Sequence, residues 1–539
     1  MPGTPKTPLL SHLLKAMQKA MHAAANNIPA SEIEGYSKER RKFIADAMKV
    51  AAVAGVAGVA AGCSKALEIV SPAAASAATG PGSDGKIAPR IAIVGGGIAG
   101  LHAAYTLKQK GRIAQVYEAS NRTGGRMYTA QNVMGAGLTT ELGGEFIDSG
   151  HKDMLQLAHT FGLRLLDTRA PSETALQQQV YYFNGIHYTD QQVINEFSLY
   201  ANRIRADIHS LSNIIDVDHY SASDAFLDNI SIAGYFDLLG MNGWLRQMLD
   251  VAYVTEYGQP IDQQTALNFL FLISPKVKNG RFEIFGDSDE RYKIAGGNQQ
   301  ICDRLAQAVD GQVNLGHELL AINQNANGSY DVSFKVDNTT TTITCDVLLL
   351  TLPFTLLRNV SIQPLWPAWK QKAIFDIGYG NNSKLILGFN NRFWRNLGYA
   401  GYYFTESILQ SGWDSSQLQP PVNGSLTIYT GAQASLDIGQ GDITQQVNNN
   451  LPLLNQMYPG ATAQYNNKAE RFVWPDFKWT KASYTCFKPG QYTSIAGNEI
   501  KPVGNIFFAG EHCSYNFQGY MNGGAETGRR AAEAILKIA

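Results

Sequence analysis

The sequence predicts an α/β protein with a doubly wound core, a second domain built on a mixed sheet, and a helical insertion. Three observations carry this prediction. Residues 90–118 follow a pattern of strand, glycine-rich turn, helix and strand, residues 151–285 are rich in helical patterning, and residues 506–509 form a fully apolar strand before a final helix. A chain of 539 residues has room for about three to four domain-sized units.

Composition and charge exclude several classes of protein. Apolar residues make up 45% of the chain, as in globular proteins, and 44 basic against 45 acidic residues leave a net charge of −1. That balance gives no support to nucleic-acid binding, which favours a basic surplus or stripe. The five cysteines show neither CxxC nor zinc-ligand spacing, so the sequence predicts neither a metal site nor a disulfide framework.

The N-terminal residues 1–63 are predicted to be an export leader. Arg40 and Arg41 precede a weakly apolar run over residues 45–62, a pattern similar to twin-arginine signals. This run is short and weakly hydrophobic for a membrane span, and no later segment of the sequence has the character of a transmembrane helix. The alternative interpretation of the arginine pair is a solvated, charged surface.

The end of this leader resembles a lipoprotein processing site. Ala61 and Gly62 precede Cys63, which makes Cys63 a candidate for a lipid anchor, and a second cleavage motif ends at Ala77. Residues 64–89 include a stretch rich in Ala, Ser, Gly and Pro and are predicted to be a flexible linker. We therefore expect an exported protein, periplasmic or secreted.

The first strand–helix–strand unit carries a dinucleotide-binding pattern. Gly95, Gly97 and Gly100 form GxGxxG between an apolar strand and a helix. Gly95 makes the turn, Gly97 lets the backbone approach a pyrophosphate, and Gly100 lets the helix pack close to the strand. The helix N-terminus favours phosphate, and Glu118 follows at the end of the next strand, where it can accept both ribose hydroxyls.

Further blocks give this pattern a family resemblance. Gly125 and Arg126 end the stretch Asn-Arg-Thr-Gly-Gly-Arg, which supplies more N–H groups and a guanidinium for the same pyrophosphate. With the later blocks, it resembles the flavin-containing amine oxidase family, in the family's order. Those blocks are Glu-Leu-Gly-Gly-Glu-Phe at 141–146, Arg-Tyr-Lys-Ile-Ala-Gly-Gly-Asn at 291–298, Asp-Val-Leu-Leu-Leu-Thr-Leu-Pro at 346–353, Ile-Phe-Phe-Ala-Gly-Glu at 506–511 and Gly-Tyr-Met-Asn-Gly-Gly at 519–524.

The resemblance implies a division of the chain into domains. It implies a Rossmann-like FAD-binding domain of the GR2 type, assembled from residues 90–150, 286–350 and 500–539. Residues 151–285 are expected to form a helical cap over the cleft. Residues 351–499 are expected to form the substrate-binding domain.

The resemblance also identifies the residues expected to contact FAD. Ala482 stands where the monoamine oxidases attach FAD through a cysteine, so FAD is expected to be noncovalent. The N-terminus of the final helix is expected at the flavin pyrimidine edge, where its dipole stabilises negative charge on reduced flavin. The expected cofactor-binding residues are Gly95, Gly97, Ala99, Gly100, Glu118, Ala119, Gly125, Arg126, Gly143, Gly144, Glu145, Leu319, Trp474, Gly510, Glu511, Gly519, Tyr520 and Met521.

Two residues are expected to act beside the flavin. Lys384 lies in an apolar, strand-like run and matches the family lysine that holds a water against flavin N5. The alternative is an edge-strand lysine that reaches solvent. Tyr520 matches one aromatic wall of the family's amine cage, with Tyr484 as a second substrate-binding residue, since electron-rich rings can hold an amine. The alternative for Tyr520 is ordinary core packing.

The residues leave the identity of the amine open. Many amino-acid oxidases of the family carry an arginine for the substrate carboxylate, and Phe146 falls near that position. Arg281 or Arg291 could take this role if the fold brings either of them to the site. A polyamine would instead need acidic residues, which cluster over residues 287–290, although such a cluster is more often a solvated loop.

Three functions follow from these features. The exported character and the stretch after Phe146 are similar to bacterial L-amino-acid oxidases, so oxidation of an L-amino acid to a 2-oxo acid, ammonia and hydrogen peroxide is the first hypothesis. A monoamine or polyamine oxidase that releases an aldehyde, ammonia or an amine, and hydrogen peroxide is the second, and a flavin-binding scaffold without catalysis is the third. No second GxGxxG occurs between a strand and a helix, so electrons are expected to come from the substrate and to pass to oxygen or another small acceptor. We also expect a homodimer.

Overall fold

The computed structural model describes residues 16, 17, 19–21, 23, 24, 88–273 and 289–538. The strands are β1 (Ile91–Val94), β2 (Ala114–Tyr117), β3 (Thr129–Gln131), β4 (Thr139–Glu141), β5 (Leu165–Asp167), β6 (Val180–Phe183), β7 (Ile186–Tyr188), β8 (Tyr292–Ile294), β9 (Val313–Asn314), β10 (His317–Gln324), β11 (Tyr330–Val336), β12 (Thr339–Cys345), β13 (Val347–Leu350), β14 (Ser361–Gln363), β15 (Asn382–Phe389), β16 (Tyr403–Thr405), β17 (Ser411–Asp414), β18 (Gly424–Gly431), β19 (Tyr465–Val473) and β20 (Ile506–Phe508). The helices are α1 (Ile98–Gln109), α2 (Lys152–Thr160), α3 (Pro171–Thr174), α4 (Asp190–His209), α5 (Ala222–Asn229), α6 (Ile232–Leu238), α7 (Gly243–Tyr257), α8 (Ala266–Ile273), α9 (Gln299–Ala308), α10 (Phe354–Leu357), α11 (Ala368–Asp376), α12 (Phe393–Asn396), α13 (Ala432–Asp437), α14 (Ile443–Met457), α15 (Ala461–Gln464), α16 (Gln491–Ser494) and α17 (Met521–Ile535).

A five-stranded parallel sheet in the order β20–β13–β1–β2–β9 forms the domain predicted to bind FAD. Ile91 of β1 pairs with Val347 on one side and with Ala114 on the other. All residues of β1 and β13 are buried, which explains why the sequence shows continuous apolar runs there instead of alternation. The helix α1 connects β1 to β2, so its N-terminus lies at the carboxyl end of β1, as the glycine pattern predicts.

The two faces of this sheet are covered by different structures. Ile93 and Leu349 belong to a cluster with apolar residues of α1, α9 and α17. Ala92 and Leu348, their neighbours in sequence, pack into another cluster with the antiparallel strands β10, β11 and β12. The predicted Rossmann-like fold is confirmed: helices cover one face of the sheet, and the antiparallel strands contribute to the other together with α10 and α11. An antiparallel sheet can serve as an outer layer since its far face is polar, as the exposed threonines of β12 are.

The predicted mixed sheet is confirmed. It has seven strands in the order β19–β15–β18–β17–β16–β6–β7, in which β6 is parallel to β16 and the other pairings are antiparallel. The strand β15 lies between β18 and β19, and all eight of its residues are buried. Both β6 and β7 lie within residues 151–285, the range predicted to be a helical cap. Their place in the sheet depends on pairing with β16, far along the chain, which local patterning does not reveal.

The helices α4 to α8 form a layer around a core that includes Phe197, Leu245 and Leu270. Thr189 begins α4 with a capping box, which fixes the start of this layer. The helix α2, also within the predicted cap, instead packs through Met154 against the cluster that contains α1 and α17. The first helix of the predicted cap thus belongs to the domain of the parallel sheet.

A segment near the N-terminus completes the helical layer. Met17 and Met21 are 0% and 1% exposed and belong to the same apolar cluster as Phe197. They lie inside residues 1–63, the range predicted to be a leader, whereas Arg40, Arg41 and Cys63 lie outside the described residues. The described part of the leader therefore contributes to the core of the folded chain.

Replacing Met17 with Ala should destabilise the purified unprocessed chain by about 2–5 kcal/mol, because the substitution removes a fully buried side chain. Chemical unfolding measures the change, and Leu199→Ala, at a position 71% exposed on α4, is the matched surface control. If the unprocessed Met17→Ala chain unfolds like the unmodified chain, this segment does not stabilise the core.

Within the ranges that the structure describes, no helix combines the length and hydrophobicity needed to cross a bilayer. In the same ranges, no group of three or more His, Cys, Asp and Glu side chains is placed to hold a metal ion. The described cysteines, Cys302, Cys345, Cys486 and Cys513, are buried and free.

Candidate active site

A cavity of about 400 Å³ collects residues from both large sheets. Val94 at the end of β1, Lys384 of β15 and Tyr429 of β18 are among those that line it. Every residue predicted to bind FAD or substrate lines this cavity, with the exception of Gly100. A β-carbon at Gly100 would collide with the carbonyl oxygen of Gly95, so Gly100 allows close packing of α1 on the sheet and does not contact the cavity.

One end of the cavity has the features that a nucleotide requires. The helix α1 begins at Gly97 with no side-chain cap, so its first N–H groups are available to an anion. Glu118 accepts hydrogen bonds from the backbone N–H groups of Gly96, at 2.7 Å, and Ser120, at 2.8 Å, which hold its carboxylate beside the helix start. A β-carbon at Gly125 would lie 3.4 Å from the Cα atom of Gly97, so the two glycines leave a narrow cradle between them.

The middle of the cavity is held by a salt bridge between distant segments. Arg126 donates through Nη1 to Glu511 Oε1 and to the carbonyl of Ser483, both at 2.8 Å. Glu511 in turn accepts from the Gly519 N–H at 2.7 Å. The carboxylate of Glu511 thereby fixes the turn that leads into α17, a helix whose N-terminus, at Tyr520, also has no side-chain cap.

Lys384 lies in the cavity wall and is 4% exposed, which excludes the alternative of an edge-strand lysine that reaches solvent. Its ammonium donates to the carbonyls of Glu141 and Gly143, each at 3.0 Å, and to Glu145 Oε2 at 2.9 Å. An ammonium has three N–H donors, so these three acceptors can use all of them. A water bound to the Lys384 ammonium would have to share or displace one of these three hydrogen bonds. The sequence alone does not reveal this competition.

The Glu145 carboxylate binds a second lysine that sequence reasoning missed. Lys293 of β8 donates to Glu145 Oε1 at 2.8 Å and to the carbonyl of Ser415 at 3.0 Å. Burial alone would raise the pKa of Glu145, but Lys293 and Lys384 outweigh burial and hold this pKa below its usual value. Glu141 accepts a hydrogen bond from the Asn298 N–H and does not lie between two bound lysines as Glu145 does. Burial therefore raises the pKa of Glu141 to about 7.

Five of the aromatic residues that line the cavity are called the aromatic wall: Phe146, Trp413, Tyr429, Tyr484 and Tyr520. Tyr484 donates to the carbonyl of Glu256 at 2.7 Å, and its hydroxyl lies 2.8 Å from the Tyr429 hydroxyl. Both tyrosines are thereby fixed in orientation, with their rings on the cavity side.

Tyr520 is also fixed, through a ring contact of 5.0 Å with buried His151. Tyr520 is buried and also lines the cavity, which is the position that the predicted substrate-binding role requires. Trp413 and Tyr429 were not predicted, because they lie on β17 and β18, whose uniformly buried sequences carry no functional signal.

Of the residues considered for binding a charged group of the substrate, some line the cavity and others do not. Arg291 is paired with Asp167 at 2.7 Å and does not line the cavity, so it is not the carboxylate anchor. Asp289 binds Ser149 outside the cavity, whereas Glu290 lines it. Arg281 and Asp287 lie outside the described residues. Phe146 lines the cavity at the position considered for an arginine.

Ala482, at the predicted flavin attachment position, does not itself line the cavity. Ser483 lines the cavity, whereas Ala482 is buried in the cluster beneath it. Cys486 is fully buried and does not line the cavity. Neither Ala482 nor Ser483, its neighbour at the cavity surface, carries a thiol.

Together these residues fit FAD. The uncapped start of α1 and the glycine cradle suit a pyrophosphate, the Glu118 carboxylate suits ribose hydroxyls, and the uncapped start of α17 suits an electron-rich ring edge. The aromatic wall and Lys384 then lie at the end where a flavin ring would meet a substrate.

Comparisons with known proteins agree with this geometry. An amine oxidase of Oncorhynchus mykiss is 24% identical over 460 residues, which cover 83% of this chain and 85% of that protein. An L-amino-acid oxidase of Demansia vestigiata is also 24% identical over 460 residues, which cover 83% of this chain and 86% of that protein. The structure of a cyclohexylamine oxidase from Brevibacterium oxydans shares the fold, with a TM-score of 0.72 at 21% identity, over 84% of this chain and 99% of that chain.

A family model described as flavin containing amine oxidoreductase matches residues 98–536, which is most of the chain. The matched range includes Gly125, Lys384 and the aromatic wall. The chain therefore belongs to the flavin-containing amine oxidoreductase family.

Proposed function

We propose that the enzyme uses FAD to oxidise an L-amino acid to a 2-oxo acid, with release of ammonia and hydrogen peroxide. The observations that carry the proposal are the similarity to L-amino-acid oxidases over 83% of the chain and the aromatic wall of the cavity. An aromatic wall favours an amine presented to ring faces.

When bound, FAD supplies the two-electron oxidation of the carbon that bears the amine. The protein then has to desolvate and orient the substrate. Tyr484 and Tyr520 are placed for this, because their rings line the cavity and their neighbours fix them. His151 is not a candidate base, since burial lowers its pKa to about 3 and it does not line the cavity.

A second candidate, a monoamine or polyamine oxidase, is favoured by two observations. Phe146 lines the cavity where an arginine was considered, and the Glu290 carboxylate is part of the wall. A substrate with a second cationic group would suit a carboxylate in a buried site. The same fold and the same flavin chemistry would serve both candidates.

A hydrogen peroxide assay across the L-amino acids, tyramine and putrescine separates these functions. The proposal expects peroxide with at least one L-amino acid, together with ammonia and the matching 2-oxo acid. Peroxide only with tyramine or putrescine supports the second candidate. The absence of peroxide with every compound, from protein that retains its flavin, supports a scaffold without oxidase activity.

We propose that FAD is held noncovalently, because Ala482 at the attachment position carries no thiol, and neither does Ser483 beside it, which lines the cavity. Acid precipitation of the yellow protein should release the flavin into the supernatant. Flavin that stays with the precipitate, and survives denaturing electrophoresis as a fluorescent band, would contradict this.

We also propose export through the twin-arginine route, since that route carries folded protein and FAD must bind before the chain leaves the cytoplasm. Replacing Arg40 and Arg41 with Lys should leave active enzyme inside the cell. Unchanged export of this variant would reject the proposal. A lipid at Cys63 and a homodimer stay predictions, which mass analysis and light scattering test.

A further inference from the structure

Glu145 is the centre of a buried cluster that joins three separate parts of the chain. Its two oxygens bind different lysines: Oε1 binds Lys293 of β8 at 2.8 Å, and Oε2 binds Lys384 of β15 at 2.9 Å. The side chains of Glu145, Lys293 and Lys384 are 2%, 6% and 5% exposed, so solvent screens these charges little.

The two lysines differ in what they can reach. Lys384 lines the cavity, whereas Lys293 does not. Lys293 is held behind the wall by Glu145, by the carbonyl of Ser415 at 3.0 Å, and by the ring of Phe146, 5.5 Å from its Nζ. Lys293 therefore does not touch a molecule in the cavity directly, and its charge-bearing link to the cavity wall is Glu145.

A count of charge shows what Lys293 adds. Lys384 and Glu145 alone would form a neutral pair, and the cavity would face a wall without net charge. With Lys293 present, the cluster holds two positive charges and one negative charge, so one positive charge is left. Of the two ammonium groups, the one in the cavity wall is that of Lys384.

We propose that Lys293 is a positioning residue that sets the charge of the cavity wall: it neutralises Glu145 and leaves the charge of Lys384 to act on the flavin. The proposal rests on the flavin that the family implies and on no choice of substrate. Two-electron reduction with uptake of one proton leaves a flavin anion, and a positive wall stabilises that anion relative to the oxidised form. Lys293 therefore raises the flavin potential.

The test is the flavin midpoint potential of the holoenzyme, measured without substrate in a spectroelectrochemical cell. The measurement is made at about pH 6, because the pKa of Glu141 is raised to about 7 and its carboxyl group then adds little negative charge to the cluster. Lys293→Met should shift the equilibrium toward oxidised flavin by about tenfold, which is about 30 mV for a two-electron couple. Lys293→Arg, which keeps the charge, should stay near the unmodified enzyme.

The decisive variant combines Lys293→Met with Glu145→Gln. It restores one uncompensated positive charge at Lys384, so its potential should return toward that of the unmodified enzyme. A merely structural role for Lys293 would not produce this recovery, because the double variant removes one more buried contact. The proposal is overturned if the midpoint potential of the double variant is as low as that of Lys293→Met. It is also overturned if the midpoint potential of Lys293→Met is unchanged.

If Lys293→Met fails to retain flavin, Glu145→Gln alone replaces it in the test. That variant leaves two positive charges without a partner, so its potential should rise by a similar amount. An unchanged or lowered potential contradicts the proposal. None of these outcomes depends on which amine is oxidised, so a wrong substrate proposal would leave the result intact.

Discussion

Replacing Lys384 with Met is expected to slow the reaction of the reduced enzyme with oxygen by about 10²–10³-fold, and to slow reduction by substrate less. The reason is electrostatic. A buried cation in the cavity wall stabilises the negative charge that develops as electrons pass to oxygen, and preorganised interactions of this kind contribute about 2.7–4 kcal/mol elsewhere. Methionine keeps much of the volume of lysine and removes its charge.

Stopped-flow absorbance measures the two half-reactions of Lys384→Met separately, by mixing with substrate without oxygen and then with oxygen. Lys372→Met is the matched control, since Lys372 is an exposed lysine paired with Asp376 on α11. Equal slowing of both half-reactions would mean that Lys384 acts by holding the Glu141 and Gly143 carbonyls in place. No change in either would mean that Lys384 lies away from the reacting atoms.

Replacing Gly97 with Ala is expected to weaken FAD binding by about 10–100-fold and to leave the apoprotein folded. The nearest atom to a β-carbon at Gly97 is the Gly125 Cα, 3.9 Å away, so the protein itself has room for the methyl group. That room is the cradle in which the pyrophosphate would lie, and an added methyl in a filled site costs about 1–3 kcal/mol.

Gly100→Ala is the contrasting variant. Its methyl group would collide with the Gly95 carbonyl, so it should lower the stability of the fold as well as FAD content. Titration of each apoprotein with FAD, followed by flavin fluorescence, and thermal unfolding of the apoproteins separate the two effects. Gly97→Ala with unmodified FAD affinity would place the pyrophosphate elsewhere.

The nucleotide-binding end of the site could be predicted from the sequence, because each residue type there is required by the local backbone conformation or by its place in the strand–helix–strand unit. Gly95 has a φ of 114°, a conformation that favours glycine, and Glu118 ends the strand that follows α1. Such requirements act within a single strand–helix–strand unit, and the sequence displays them directly. The glycine pattern does not distinguish residues that contact the cofactor cavity from residues needed for packing. Gly100 is needed for the packing of α1 on the sheet and does not line the cavity.

The aromatic end could be predicted only in part, because tertiary pairing assembles it. Lys293 and Glu145 are distant in sequence, and neither residue taken alone indicates a site, since Lys293 lies within the short strand β8 and Glu145 lies in the segment after β4. Trp413 and Tyr429 enter the wall through the pairing of β17 with β18. In the same way β6 joins the seven-stranded sheet through its parallel pairing with β16, although its surroundings in sequence are helical.

Anaerobic mixing of the purified yellow enzyme with matched L- and D-amino acids and with primary amines tests the central claim most directly. The account predicts that an L-amino acid bleaches the visible absorbance of the flavin, that its D-enantiomer does not, and that oxygen restores the colour with release of hydrogen peroxide. Bleaching by amines alone, or by none of these compounds in an enzyme that a chemical reductant bleaches, would contradict the assignment as an L-amino-acid oxidase.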